Sequence, residues 1–83
     1  MPFVIIWSEQ AQKDLLKLEK HIAERIIDKL EYANQSGLLR LEKVEGKDFY
    51  KYRVGDYRLF IDKRLVDTIE IITIRYRENA YTK

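Results

Sequence analysis

An amphipathic stripe in the N-terminal half sets the tightest limit on how this chain folds. Apolar side chains recur every three or four positions over residues 11–33, which is the period of one helical face. A straight helix over residues 9–35 would be about 40 Å long, whereas a globule of this chain length has a radius of gyration of about 12 Å. The stripe therefore predicts two helices in a hairpin, with a break near residues 19–21.

The segments on either side of the helices predict strands and one connector. Residues 2–7 are β-branched and aromatic and are apolar at consecutive positions, so we expect a strand that is not an exposed edge. Ser8 then supplies a helix N-cap. Residues 38–47 show no clean period and are interpreted as a connector that ends at Gly46.

The C-terminal half predicts three further strands, at about residues 49–54, 57–62 and 68–76, all rich in aromatic and β-branched side chains. The predicted fold class is α+β. It has an N-terminal strand, a two-helix hairpin and a three-strand antiparallel meander that forms one sheet, in the order β-α-α-β-β-β. A chain of 83 residues fits one compact unit, so residues 1–83 are assigned to a single domain.

Composition narrows the possible chemistry and location. The chain has no cysteine, which excludes disulfides and Cys-based zinc or thiol chemistry. Its longest fully apolar run, residues 3–7, is far shorter than the roughly 20 residues that span a bilayer, and the start does not resemble a signal peptide. We therefore expect a cytoplasmic protein with no membrane partner. The net charge of +2 is a weak nucleic-acid signal, so local clustering has to carry that argument.

A tight turn in the meander brings cationic residues together. Residues 54–57 read Val-Gly-Asp-Tyr, which is typical of a two-residue hairpin turn with glycine at its first central position. In that register Arg53 lies opposite Arg58, with Lys51 on the same face. The next strand returns antiparallel and brings Arg75 towards Arg58. Like charges directly opposite each other destabilise a sheet, so this arrangement needs a reason.

An anion is the simplest reason for this arrangement. The opposite face of the hairpin is apolar and suits helix packing, which leaves the cationic face open. A phosphate there would convert the repulsion into charge-assisted hydrogen bonds. The alternative is an ordinary solvated surface on which Asp56, Asp62 and Glu78 neutralise some of the charge.

The stretch of residues 50–58, Tyr-Lys-Tyr-Arg-Val-Gly-Asp-Tyr-Arg, resembles the central signature of the RelE/ParE toxin superfamily. The resemblance extends over nearly the whole chain. It implies a toxin of a type II toxin-antitoxin system with a RelE-like fold. ParE relatives share the Arg-Val-Gly-Asp-Tyr-Arg core and poison DNA gyrase without being nucleases, so the superfamily by itself leaves the activity open.

The functional positions of the RelE-type members favour a ribosome-dependent, metal-independent endoribonuclease. Those members carry two basic residues before the turn, an arginine after it, an arginine that ends the last strand, and a tyrosine six residues later. The matching catalytic residues are Lys51, Arg53, Arg58, Arg75 and Tyr81. Where Arg53 stands, some relatives have lysine, which leaves the identity of the base open.

The resemblance also implies a role for each residue in the attack of a ribose 2′-hydroxyl on the adjacent phosphorus. Lys51 and Tyr81 activate and orient the 2′-hydroxyl, and their roles are exchangeable. Arg53 and Arg58 neutralise the phosphorane, and Arg75 serves the leaving group.

Partners and alternatives follow from the same resemblance. Arg77 is assigned to RNA binding, and no cofactor or metal is expected. The expected partners are a RelB-like antitoxin and the ribosome with messenger RNA in the A site. Two alternatives stay open, a ParE-like gyrase poison without nuclease activity and a non-catalytic RNA-binding module.

Overall fold

The computed structural model describes residues 2–76, apart from the side chain of Arg64. This part of the chain contains two helices and five strands. The predicted α+β fold with a helical hairpin is confirmed. In chain order the elements are β1 Val4–Trp7, α1 Glu9–Leu16, α2 Lys20–Gln35, β2 Glu42–Lys43, β3 Tyr50–Val54, β4 Tyr57–Leu65 and β5 Thr68–Tyr76.

The start of α1 is fixed by the predicted cap. The Ser8 hydroxyl accepts a hydrogen bond from the Ala11 amide at 3.0 Å and donates one to the Ile72 carbonyl at 2.6 Å. One side chain thus caps the helix and links it to β5. The break between the helices falls at residues 17–19, slightly before the predicted position of residues 19–21.

The sheet has the strand order β1-β5-β4-β3-β2, with β1 parallel to β5 and the other pairs antiparallel. The prediction that the first strand is not an exposed edge was wrong. Val4 and Ile6 are 57% and 45% exposed, because β1 has a neighbour on one side only and the helices cover one of its faces. Ile5 and Trp7, which alternate with them, pack against the core.

The predicted connector contains a strand that its sequence does not reveal. Glu42 and Lys43 form β2, in which Glu42 lies opposite Lys51 and Lys43 lies opposite Tyr50. Two residues are too few to show the alternation that identifies a strand. The strand β4 also continues to Leu65, three residues beyond the predicted end.

The core lies between the helical hairpin and one face of the sheet. Its buried members are Ala11, Ile26 and Leu30 from the helices and Val54, Leu59, Ile61, Ile69, Ile71 and Ile74 from the strands. Because side chains alternate between the two faces of a strand, burying these residues directs their neighbours to the other face. Neither helix of the described chain has the length and apolar character needed to cross a bilayer.

Asp14 of α1 forms hydrogen bonds with the part of β5 that extends beyond its pairing with β1. Its Oδ2 accepts hydrogen bonds from the Ile74 amide at 2.9 Å and from the Thr73 hydroxyl at 2.7 Å, and Gln10 donates to Oδ1 at 2.9 Å. Burial alone would raise the pKa of the Asp14 carboxyl. The hydrogen bonds, aided by the charge of Lys17, outweigh that effect and hold the pKa below its ordinary value of 3.8.

We predict that Asp14→Asn lowers the free energy of unfolding by about 1.5–3 kcal/mol at neutral pH, the range for hydrogen bonds to a charged group. Because the pKa is lower in the folded state, this stabilisation is present above the unfolded pKa and is lost as the pH falls through the folded pKa. Denaturant unfolding monitored by Trp7 fluorescence should therefore show the difference from wild type closing at acidic pH. Asp28→Asn, on an exposed part of α2, is the control. A deficit that persists unchanged in acid would contradict the assignment.

Candidate functional site

Three arginines lie side by side across the middle of the sheet. Arg53 on β3 is paired with Arg58 on β4, and Arg58 is paired with Arg75 on β5. We call these three residues the arginine row. Neighbouring strands are about 4.8 Å apart, so the guanidinium groups share one small area. The register predicted from the hairpin turn is confirmed.

Lys51 extends the cationic surface along β3. It stands two residues before Arg53 and therefore on the same face, about 7 Å away along the strand. Phe60 lies opposite Lys51, and its ring meets the Phe49 ring edge to face at 5.6 Å between centroids. The structure thus brings together four of the predicted site residues.

The four cations differ in exposure, which corrects the expectation of a uniformly open face. Arg53 and Arg75 are exposed and Lys51 is half-buried, but Arg58 is only 8% exposed. The reason is the position of β4, which has a strand on each side, so that neighbouring side chains surround Arg58. Arg58 therefore lies at the base of the site, and Arg53 and Arg75 flank it.

The exposed charges of this surface are not neutralised by nearby carboxylates. Within residues 2–76, Lys51, Arg53 and Arg75 make no ion pair within 4.0 Å. Asp62 lies opposite Glu70, further along β4 than the arginine row. Among the described residues, these three cations can therefore receive an anion; Glu78 lies outside the described residues.

The other candidate residues are not among the described residues of this surface. Arg77 and Tyr81 fall outside the described residues. His21 is exposed on α2, with Nδ1 3.6 Å from Oε1 of Glu19. The described part of the chain contains no group of three or more His, Cys, Asp or Glu side chains that could hold a metal ion.

A groove adjoins the arginine row on the β2 side of the sheet. It encloses about 750 Å³ and is lined by Arg40, Glu42, Lys51, Tyr52 and Arg53. Sequence reasoning missed Arg40 and Glu42. Both lie in the predicted connector, where no period indicated that β2 would bring them beside Lys51 and Arg53.

Comparison with protein families gives a match over almost the whole chain. The model described as the ParE toxin of type II toxin-antitoxin system, parDE, matches residues 5–81. No curated protein sequence matches the chain.

Solved structures of both RelE and ParE systems are similar to this chain. The RelBE2 toxin-antitoxin complex from Mycobacterium tuberculosis matches with a TM-score of 0.75 and 21% identity, covering 93% of this chain and 100% of that one. The RelB-RelE complex from Methanococcus jannaschii gives 0.70 and 28%, covering 92% and 94%. The chromosomal ParDE system from P. aeruginosa gives 0.70 and 12%, covering 89% and 95%. The fold is therefore shared by RelE-type and ParE-type proteins.

We predict that Arg53→Gln raises the free energy of unfolding by up to about 1 kcal/mol at low salt, because it removes a like-charge neighbour of Arg58. The gain should shrink as salt screens the repulsion. Sulfate, compared with chloride at equal ionic strength, should stabilise wild type more than Arg53→Gln. Thermal unfolding measures both effects, and Lys43→Gln on the exposed β2 strand is the control. If the difference in stability between wild type and Arg53→Gln does not change with salt or with sulfate, the row does not bind anions.

Proposed function

This chain belongs to the ParE toxin family of type II toxin-antitoxin systems, and we propose that it acts as a RelE-type toxin that cuts messenger RNA on the ribosome. The observation that carries the proposal is the arginine row with Lys51 beside it on one face. Arg58 is buried and its neighbours in the row are exposed, so a single phosphate would fit over Arg58 at the base of the site.

The proposed reaction needs charge stabilisation above all. Attack of a 2′-hydroxyl on the adjacent phosphorus builds negative charge on the phosphorane oxygens, and fixed cations stabilise that charge best where water is excluded. Arg58, buried on the central strand, and Arg53, directly opposite it, would supply this stabilisation. Arg75 on the other side of Arg58 would serve the leaving 5′-oxygen.

Proton transfer is assigned to Lys51 and Tyr81. One of them would accept the proton of the 2′-hydroxyl and the other would orient it, since a positioned acceptor is what the attack requires. Arg77 would hold the RNA close to the row. With no histidine among its described residues, such a site depends on a partner that holds the RNA in attack geometry. The ribosome with messenger RNA in its A site is the proposed partner.

An antitoxin is the second proposed partner. The similar RelE proteins from Methanococcus jannaschii and Mycobacterium tuberculosis were solved in complexes with their antitoxins. By analogy we propose a RelB-like antitoxin for this chain. Its acidic or amphipathic segment would fold on binding and cover the exposed Arg53 and Arg75, which prevents RNA from reaching them.

A ParE-like gyrase poison is the second candidate function. It is favoured by the family model itself and by the fold shared with the P. aeruginosa ParDE system. ParE relatives share the core that contains Arg53 and Arg58, so the nuclease is favoured by the further cations beside that pair, Lys51 and Arg75. The nuclease therefore accounts for more of the observed surface.

We predict that the protein makes discrete cuts inside the reading frame of a messenger RNA in a translation extract. The upstream products should end in 2′,3′-cyclic phosphate, since the 2′-hydroxyl is the nucleophile. Primer extension and end-group analysis measure this, and a parallel DNA gyrase supercoiling assay should show no inhibition. Products with a 5′-phosphate would contradict the mechanism, and gyrase inhibition without RNA cleavage would favour the ParE-like candidate.

We further predict that Arg75→Ala and Tyr81→Phe each slow single-turnover cleavage by about a hundredfold or more, the order expected for losing one donor to a developing charge. Arg75 is exposed, so its removal leaves no cavity, unlike removal of Arg58. Ribosome co-sedimentation should change little for either variant. Arg25→Ala, on the exposed side of α2, controls for the loss of a cation. Cleavage that stays at the wild-type rate would remove the substituted residue from the site, and loss of cleavage only in proportion to loss of binding would indicate a binding module.

A further inference from the structure

We propose that the groove beside the arginine row binds the nucleotide next to the cut, with Arg40 contacting its phosphate and Glu42 its base. The inference rests on the proposed RNA substrate and adds a substrate-binding site outside the catalytic residues. It concerns the region where the RNA leaves the arginine row.

Strand register places Arg40 in line with the arginine row. The β2–β3 pairs are Glu42 with Lys51 and Lys43 with Tyr50. Continuing the same register by two residues sets Arg40 opposite Arg53. Arg40 lies just before β2, and it lines the same groove as Arg53, which agrees with this extrapolation.

The extended row is too long for one phosphate. Four neighbouring positions span three strand spacings, or about 14 Å. Arg40 is exposed and, within residues 2–76, makes no ion pair. If the scissile phosphate occupies the site over Arg58, Arg40 is free to contact the next phosphate of a strand that crosses the sheet towards β2.

Glu42 gives the groove a second, different contact. It is exposed, lies directly opposite Lys51 and makes no ion pair with it. An ionised carboxylate only accepts hydrogen bonds and repels phosphate, so its partner here is a group of N–H donors. Single-stranded bases present such donors on their Watson–Crick edges.

Guanine is the base that best fits a carboxylate. Its Watson–Crick edge offers two adjacent donors, N1–H and the N2 amino group, which the two oxygens of Glu42 can accept together. The pair of Arg40 with Arg53 and the pair of Glu42 with Lys51 are about 7 Å apart along the strand. The groove volume of about 750 Å³ lies in the usual range of small-ligand sites. One nucleotide can therefore contact both Arg40 and Glu42.

The phosphate contact is tested by binding of a labelled single-stranded RNA whose 2′-O-methyl groups prevent cutting. Arg40→Ala should weaken binding by about tenfold and reduce the slope of affinity against salt by about 0.7, the loss of one phosphate contact on a single strand. Lys43→Ala, which alters an exposed cation on the other face of β2, should match wild type. Absence of measurable binding by wild type, or identical behaviour of Arg40→Ala and Lys43→Ala, overturns the site.

The base contact is tested with uridine oligonucleotides that carry one guanine, compared with the same oligonucleotides carrying inosine, which lacks the N2 amino group. Wild type should prefer guanine by about tenfold at one position, and Glu42→Ala should lose that preference while Lys43→Ala keeps it. An equal preference in wild type and Glu42→Ala overturns the role of Glu42.

Different results would contradict the proposed nuclease activity and the proposed groove site. If wild type binds RNA through Arg40 and Glu42 but does not cut messenger RNA in a translation extract, the proposed nuclease activity is wrong. The groove then remains an RNA-binding site. If cutting is normal but the variants of Arg40 and Glu42 behave like Lys43→Ala, only the proposed groove site is wrong.

Discussion

The packing of the helical hairpin against one face of the meander decides where the other side chains of the strands lie. Leu59 and Ile61 are fully buried beneath the helices, and strand alternation then requires Arg58 and Phe60 to point the opposite way. The cationic surface is thus a direct consequence of core formation. Within residues 2–76 the chain has a single helical layer and no second layer to cover that face.

The arginine row destabilises the sheet, and other interactions in the fold must offset this effect. Each like-charge pair opposes sheet formation by a few tenths to about 1 kcal/mol, a noticeable part of the 5–15 kcal/mol by which small domains are stable. Burial of the Ile and Leu side chains beneath the row offsets it. The hydrogen bonds of Asp14 to Thr73 and Ile74 add a further constraint, since they hold the backbone of β5 immediately before Arg75.

The comparisons show why fold and activity need separate arguments here. RelE-type and ParE-type structures share this architecture with TM-scores of about 0.7. The fold by itself therefore does not assign an activity. An activity has to be argued from the side chains that a particular chain places on this fold. Lys51, Arg53, Arg58 and Arg75 are therefore the residues from which an activity for this chain has to be argued.

Local patterns in the sequence determined the two helices, the β3–β4 turn and the opposition of Arg53 and Arg58, because helical period, cap chemistry and a two-residue turn act over short stretches of chain. Only the tertiary structure decided that β1 is an edge strand, that Glu42 and Lys43 form β2, and that Arg58 is buried while its neighbours are exposed. Those features depend on which strands become neighbours. Pairing between segments far apart in the chain is set by the closure of the whole core, and no short stretch of sequence carries that information.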